Sequence, residues 1–341
     1  MTAAPWAPRS LPTVILSDVV TEQQTVPWVR DVTRDAVRHF AWGIGDNNPL
    51  WLQPEYARES PYQDLLAPPS FLYALHETTV APGLDDRQRI YLDVDWLWFD
   101  SIRLGTELTV HAELAGTENA AEQASQIGSV EYRDANDHLV ACATSRCLRP
   151  RHPRLLGPEN PEAKYTEAEL TAIERAVLAE SRRGASPRLW QSTLPGETLG
   201  PLTKGPLSIM DIVAWCAGAL GVPAEGSPVS DGGLNEEVAT GPQLAAWCAQ
   251  LITDWAGDEG FLHRLQVNVI EQPGLGSTTV LTGAVTHRWV ENAQHMVQIQ
   301  ITASARDGRP AATAKAIVAL PEAGQPVQLP MTAATDFQDP P

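Results

Sequence analysis

Residues 42–57 read WGIGDNNPLWLQPEYA, which places a carboxylate, two amides and a proline within one short turn. Asp46 supplies the carboxylate, and His76 follows about one helix later in the segment APPSFLYALHETTVAPGL. Carboxylates and imidazoles are the side chains that most often transfer protons in catalysis, so both residues are candidates for general acid–base work. Two structural alternatives stay open. Asp46 would then hold a turn, and His76, which falls on an apolar stripe, would be a packed core histidine.

The same stretch resembles the signature of the MaoC-like, R-specific enoyl-thioester hydratase and dehydratase family, which is G-D-x-N-P-L-H. The positions that match it one by one are Gly45, Asp46, Asn48, Pro49 and Leu50. An EYA-like helix and a small-residue turn follow, as they do in the family, and the resemblance is strong over residues 32–114. It implies a hot-dog fold and an acyl-thioester substrate carried by CoA or acyl carrier protein, with no cofactor and no metal.

One position departs from that signature, because Trp51 stands where the family has its histidine. The corresponding segment of the second half, which begins at residue 211, contains no G-D-x-N-P and no histidine. In the resembling family, the Asp and the His share the attacking water, and the N-terminus of the central helix polarises the thioester carbonyl. The resemblance therefore implies Asp46 as the base and His76 as a replacement acid or base.

Six further residues are expected to contact the substrate. The resemblance implies that the backbone amides of Ser70 and Phe71 act on the carbonyl, while tryptophans wall an apolar cavity suited to a bulky, polyketide-like ligand. Ordinary core packing is the alternative for the tryptophans, and a structural role is the alternative for the amide side chain. Asp95 would add a second carboxylate if it faced the cavity. The six are Asn48, Trp51, Ser70, Phe71, Trp96 and Trp98.

The resemblance favours a dehydratase or hydratase that acts on an acyl thioester or a related hydrophobic substrate. Since loss of a positioned acid/base group costs about 10²–10⁴ in rate, two other functions stay open. One is a repurposed hot dog that isomerises or cyclises a secondary metabolite. The other is a non-catalytic subunit that binds a thioester or completes a catalytic partner's dimer.

The elements that must position these residues occur twice along the chain. Segments 67–84, 102–116 and 131–150 align with segments 240–262, 273–287 and 304–321. The shift is nearly constant at roughly 171–173 residues, as a duplicated unit requires. Each unit reads as a short helix, a loop, a long apolar helix and three or four alternating strands.

A run of strands after one helix predicts an α+β fold. We expect a double hot dog, in which two antiparallel sheets each wrap around a long central helix and continue into one another. Local capping signals support the helices: Thr33 precedes the first, Thr166 and Glu169 form a capping box, and Ser208 and Asp211 form another.

These patterns divide the chain into four segments. Residues 11–150 form the first hot-dog unit, and residues 151–195 form a linker with a connecting helix. Residues 196–322 form the second unit, with a degenerate signature, and residues 323–341 form a Pro-rich tail that is expected to be disordered.

Charge and composition argue against several classes of protein and binding partner. The 341 residues are 43% hydrophobic and carry a net charge of −18, which disfavours nucleic acid and membrane surfaces as partners. An anionic ligand would need a local patch that is basic or lined by amides. No signal-like or membrane-spanning run is found, and the four cysteines form no CxxC pair, so a cytoplasmic protein is expected. A homodimer of the whole chain is left open.

Overall fold

The computed structural model describes residues 31–76, 78, 89–120, 123–150, 165–220, 238–332 and 334–338. Several sequence predictions lie outside these residues: the first 20 positions of the unit predicted at 11–150, the Pro-rich stretch after residue 150, and most of the segment that aligns with the signature in the second half.

The described strands form one nine-stranded antiparallel sheet in the order β2-β3-β4-β1-β6-β9-β8-β7-β5. Four strands come from the predicted first unit and five from the second, so the two sheets continue into one another as expected. The strands are β1 (Ile90–Trp98), β2 (Leu108–Ala120), β3 (Gln123–Asp134), β4 (Leu139–Pro150), β5 (Thr198–Lys204), β6 (Phe261–Val269), β7 (Thr279–Glu291), β8 (Gln294–Ala305) and β9 (Pro310–Ala319).

The two halves of the sheet join where β1 pairs with β6, in a register that places Trp96 opposite Leu265. Side chains alternate across a strand, so Trp96 and Trp98 lie on the same face of β1. Both are buried, and their rings stack with centroids 5.3 Å apart. This aromatic pair identifies the buried face of β1, which packs against the helices.

Six α-helices are described, and the three predicted capping signals are all present. Thr33 accepts a hydrogen bond from Ala36 N–H, and the pairs Thr166/Glu169 and Ser208/Asp211 form complete capping boxes. The helices are α1 (Arg34–Gly43), α2 (Pro49–Leu52), α3 (Pro54–Glu59), α4 (Glu167–Leu178), α5 (Ile209–Trp215) and α6 (Gly241–Ala256). None of the helices in the described ranges is long and apolar enough to cross a bilayer.

The two units differ in their central element. In the second unit, α6 runs for 16 residues, is capped by Thr240 and is buried along almost its whole length. In the first unit, the described counterpart is a 3₁₀ helix of only six residues, Pro69–Ala74, in place of the long helix that the sequence predicts. The backbone turns soon afterwards, because Thr78 has a φ of 66°. The Thr78 side chain is hydrogen-bonded to the hydroxyl of Tyr91, which holds this turn against β1.

The helices of the two units touch through two glycines. A Cβ at Gly43 in α1 would lie 2.8 Å from the carbonyl oxygen of Ala214, and one at Gly218 would lie 2.6 Å from that of His39. Gly218 belongs to a π-helical turn, Cys216–Leu220, that continues α5. The backbones therefore pack directly on each other at this contact.

We expect Gly218→Ala to destabilise the protein by about 1–3 kcal/mol, because the added methyl group meets backbone atoms that cannot rotate away. The matched control is Ala217→Val, which adds methyl groups at the adjacent exposed position and should stay within about 0.5 kcal/mol. Urea denaturation of both variants checks this. Equal stability of the two variants would show that the α1–α5 contact opens readily.

The tail after residue 322 was expected to be disordered from its Pro-rich composition, yet its described residues pack on the sheet. Met331 is buried, and its N–H donates a hydrogen bond to the carbonyl of Phe99. Arg264 on β6 donates to the carbonyl of Thr335 and pairs with Asp336. An apolar anchor and an ion pair therefore order a segment whose composition is that of a flexible tail.

Candidate functional site

The signature loop follows directly from the end of α1. Gly45 has a φ of 65°, a left-handed conformation that glycine adopts readily. Asn48 caps α2 by accepting a hydrogen bond from Leu50 N–H at 3.0 Å, and Pro49 occupies the first turn, where its missing N–H costs nothing. Asp46 N–H donates back to the carbonyl of Ala41. The loop is thus held in one shape by its own sequence.

Asp46 is enclosed by this loop and is only 1% exposed. One of its carboxylate oxygens accepts a hydrogen bond from Asn48 N–H, and the other accepts one from Trp51 Nε1–H, each at 2.9 Å. The tryptophan that replaces the signature histidine therefore donates to the same carboxylate. Trp51 is a donor only, so it does not accept a proton from water as an imidazole would.

On its other side, Asp46 belongs to a group of charged side chains that we call the buried ion cluster. Its members are Asp46, Glu180, Arg182, Lys204 and Asp254. Arg182 Nε lies 3.8 Å from Asp46 and 3.1 Å from Asp254, and its guanidinium also pairs with Glu180. Lys204 Nζ donates to the carbonyls of Ile44 and Gly45, each at 3.0 Å. The cluster joins the signature loop to the linker, β5 and α6.

Burial governs the protonation of this cluster. It raises the pKa of Asp254 to about 8, an effect that the neighbouring Asp46 strengthens and Arg182 opposes. Burial also raises the pKa of Asp46, against two hydrogen bonds and two cations, and it lowers the pKa of Lys204. Asp46 accepts two N–H donors that stabilise its ionised form, whereas Asp254 Oδ1 accepts no hydrogen bond from the described residues. A pKa of about 8 therefore favours the protonated form of Asp254 at neutral pH.

A second feature, the interface cavity, lies between the signature loop and the second unit. It measures about 50 Å³, several times the space of one water molecule. Its walls come from both units and include Asn48, Trp51, Pro69, Trp98, Asp258 and Phe261. This volume is well below the ~300–1,000 Å³ that is usual for sites of drug-sized ligands.

Asp258 is the buried carboxylate on the wall of the interface cavity. Burial raises its pKa, and the hydroxyl of Tyr56 donates a hydrogen bond to Asp258 Oδ2 at 2.6 Å. The same burial and contact raise the pKa of Tyr56 to about 12, so the phenol keeps its proton and remains the donor. Tyr56 stands in the EYA segment of the first unit, so this pair also crosses between the units.

The residues predicted from the sequence are not all brought together. Asn48, Trp51 and Trp98 line the interface cavity, whereas Asp46 lies behind its wall. Phe71 N–H already donates to the carbonyl of Pro68, so it is not available to a thioester carbonyl, and Ser70 is buried beside it. The indole of Trp96 donates to the hydroxyl of Tyr73 and belongs to the core.

His76 and Asp95, the two candidates for an additional acid or base, are engaged elsewhere. His76 Nδ1 accepts a hydrogen bond from Thr78 N–H at the end of the short 3₁₀ helix, and His76 is not on the cavity wall. Asp95 forms a bidentate pair with Arg264 across the β1–β6 junction. β1 is a central strand of the sheet, and Asp95 is not on the wall of the interface cavity.

The sequence interpretation missed Arg182, Asp254 and Asp258. One signal was available: Asp254 follows Gln250 by four positions in the otherwise apolar helix AAWCAQLITDWA, so both polar side chains share one buried face. Gln250 Nε2 indeed donates to Glu180 at 2.9 Å. The stretch SRRGASPR, which contains Arg182, carries no comparable signal.

Comparison with known proteins agrees with this architecture. The family described as FAS1-like, dehydratase domain region matches residues 19–141. A UPF0336 protein of Thermobifida fusca is 41% identical over 144 residues, which are 40% of this chain and 95% of that protein. A UPF0336 protein of a Parafrankia species is 32% identical over 120 residues, covering 33% of this chain and 80% of the relative.

Solved structures extend the likeness over most of the chain. A MaoC-like dehydratase superposes with a TM-score of 0.65 at 17% identity, covering 87% of this chain and 96% of that one. A conserved hypothetical protein of Mycobacterium tuberculosis with a double hot-dog fold gives a TM-score of 0.56 at 12% identity, covering 89% and 97%. At these identities, the likeness establishes the fold.

The identity to two relatives, of whose length the chain covers 95% and 80%, and the agreement in fold lead to one assignment. The predicted double hot dog is confirmed, and so is the resemblance on which the prediction rested. The chain belongs to the UPF0336 family and has the double hot-dog fold of MaoC-like dehydratases.

Proposed function

We propose that this protein binds a short acyl thioester in the interface cavity and that Asp46 does not act as a hydration base. One observation carries the proposal: both oxygens of Asp46 accept N–H donors, and the donor at the histidine position is Trp51. A base must reach the water that it activates, and Asp46 lies behind the cavity wall. This favours the binding function over hydration by the Asp–His mechanism.

The composition of the cavity supports an acyl ligand. Trp51, Trp98 and Phe261 supply apolar surface, while Asn48 and Asp258 supply a few polar groups, which is the usual composition of a small-molecule pocket. The volume of about 50 Å³ favours a short chain over a polyketide-like one. The fold is one in which relatives are named dehydratases, so a thioester is the proposed carrier of the acyl group.

The test is a titration of the full chain with saturated acyl-CoA thioesters of increasing length, followed by tryptophan fluorescence, with free CoA as the ligand control. Short thioesters should bind most tightly. Ala67→Phe places a ring in the cavity and should weaken binding at least tenfold, whereas Ala172→Phe on the exposed face of α4 should not change it. If Ala67→Phe fails to fold, Leu66→Ala should shift the preference toward longer chains.

Two results would overturn the binding proposal. Equal affinity for CoA and acyl-CoA would show that no acyl group enters the cavity. Hydration of 2-enoyl thioesters that is lost in Asp46→Asn would restore Asp46 as the base.

A second candidate function is hydro-lyase chemistry with Asp258 as the acid or base. It rests on the raised pKa of Asp258, its place on the cavity wall and its hydrogen bond from Tyr56. The enoyl absorbance assay separates it from simple binding: turnover that survives Asp46→Asn and falls by about 10²-fold or more in Asp258→Asn would support it. Absence of turnover with every chain length would exclude it.

A further inference from the structure

A second, larger cavity is lined in part by three members of the buried ion cluster, Glu180, Arg182 and Asp254. We call it the arginine cleft. It measures about 360 Å³, within the usual range for small-molecule sites, and lies between the linker, β5 and α6. Its lining is mainly polar and includes Arg182, Arg183, Arg188, Glu180, Asp254 and Trp255. The proposed thioester site, the interface cavity, does not include this cleft.

The cleft is a local basic patch on a strongly acidic protein. Three arginines line it against two carboxyl groups, and one of those, Asp254, holds a proton at neutral pH. Arg182 pairs with carboxylates of the buried ion cluster, and Arg188 pairs with Glu197. Arg183 is exposed at the cleft and makes no ion pair with the residues that the structure describes. The cleft therefore attracts an anion.

Two buried polar atoms of residues on the cleft make no hydrogen bond with the described residues. Trp255 is 7% exposed, and its Nε1–H finds no acceptor among the described residues, although the Arg188 guanidinium stacks on the indole ring at 4.2 Å. Asp254 Oδ1 accepts no hydrogen bond, although Arg182 Nε lies 3.1 Å away. A buried polar atom without a partner costs free energy, which a bound ligand would recover.

From this lining we propose that the arginine cleft is a binding site for a small organic carboxylate, separate from the interface cavity. A carboxylate has two coplanar acceptor oxygens, which match the paired N–H groups of a guanidinium such as Arg183. The same oxygens can accept from Trp255 Nε1–H and from the protonated carboxyl of Asp254.

The experiment titrates the full chain with succinate at fixed ionic strength and follows tryptophan fluorescence and the melting temperature. Succinamide, the neutral diamide of the same shape, is the matched ligand control, and inorganic phosphate is the second anion. Succinate should give a saturable response and raise the melting temperature, while succinamide gives neither. A response equal for succinate and succinamide would overturn the proposal, and tighter binding of phosphate would overturn the assignment to a carboxylate.

Two arginine variants locate the site. Arg183→Gln removes a cation that has no structural ion pair, so the fold should be kept while the Kd for succinate rises about tenfold or more. Arg175→Gln changes an exposed arginine on α4, away from the cleft lining, and should leave the Kd unchanged. Unchanged binding in Arg183→Gln would overturn the proposal.

The pH dependence gives an independent readout. The groups that face Asp254 are Asp46, Glu180, Arg182 and Lys204, of which Asp46 raises its pKa most. Succinate should bind more weakly as the pH rises through about 8 and Asp254 becomes an anion. Asp254→Asn keeps a neutral donor at this position, so its affinity should stay constant over the same range. Parallel pH profiles for the two proteins would contradict the role given to Asp254.

Discussion

Replacement of Arg182 by Gln should destabilise the protein by about 3–5 kcal/mol, the cost of leaving buried charges without their partner. Arg182 pairs with Glu180 and Asp254 and lies 3.8 Å from Asp46, and its side chain is only 19% exposed. Without it, Lys204 is the one cation left in the buried ion cluster. The loss should be larger at pH 9 than at pH 6, because Asp254 is ionised only at the higher pH.

Urea denaturation at both pH values measures this effect, and an ion pair on the surface provides the control. Arg58 pairs with Glu55, but the two side chains are 66% and 80% exposed. Arg58→Gln should therefore change the free energy of unfolding by no more than about 0.5 kcal/mol. A loss below about 1 kcal/mol in Arg182→Gln would mean that water reaches the cluster and solvates its carboxylates.

Asp254→Asn should reduce the pH dependence of stability that the wild-type protein shows between about pH 5 and pH 8. The pKa of Asp254 is about 8 in the folded protein, against an ordinary value of 3.8. The folded state therefore binds more protons than the unfolded state over this interval, and stability falls as the pH rises. The slope is up to about 1.4 kcal/mol per pH unit. The stabilisation that the protonated carboxyl of Asp254 contributes is complete below its ordinary pKa of 3.8 and is lost as the pH rises past 8.

Asparagine is neutral at every pH, so the variant should be more stable than the wild type at pH 9, by about 2–5 kcal/mol. Unfolding free energies from urea titrations between pH 5 and pH 9 give both curves. Asp93 and Asp258, whose pKa values burial also raises, lie outside the buried ion cluster and cancel in the difference. Asp46, whose pKa burial raises as well, is a neighbour of Asp254 within the cluster, so the variant should keep the part of the slope that Asp46 supplies. Glu174→Gln, a substitution at an exposed position on α4, should not change how the free energy of unfolding depends on pH. Identical slopes for wild type and Asp254→Asn would contradict the prediction.

Features encoded within a few residues were predictable from the sequence. The caps at Thr33, Thr166 and Ser208 depend on neighbours three positions away, and each forms as expected. The strand and helix periods, repeated in two halves, predicted the α+β class, and the family resemblance added the double hot dog with its continuous antiparallel sheet. The signature turn was also recognisable, because Asn48 and Pro49 specify its helical start.

The site depends on contacts that no local pattern records. Arg182 is 136 positions from Asp46 and 72 positions from Asp254, yet the fold brings the three together. The short central helix of the first unit ends at Ala74, and Thr78 soon afterwards takes a left-handed conformation that a β-branched residue rarely adopts. The helical period did not predict either feature. Trp51 was recognised as a replacement, but its hydrogen bond to Asp46 depends on how the folded loop orients the indole, which the sequence does not predict.

The pairing of β1 with β6 within a single chain has a consequence for how the two halves can change. In a homodimer of hot dogs, the two partners separate on dilution, and every substitution appears twice, on both sides of the symmetry axis. Here the halves share one polypeptide, so their association does not depend on concentration, and each half accepts substitutions alone. The first half can keep a signature loop with Trp51 while the second supplies Asp254 and Asp258 to the two cavities. Because the halves are covalently linked, they need not carry the same residues at equivalent positions.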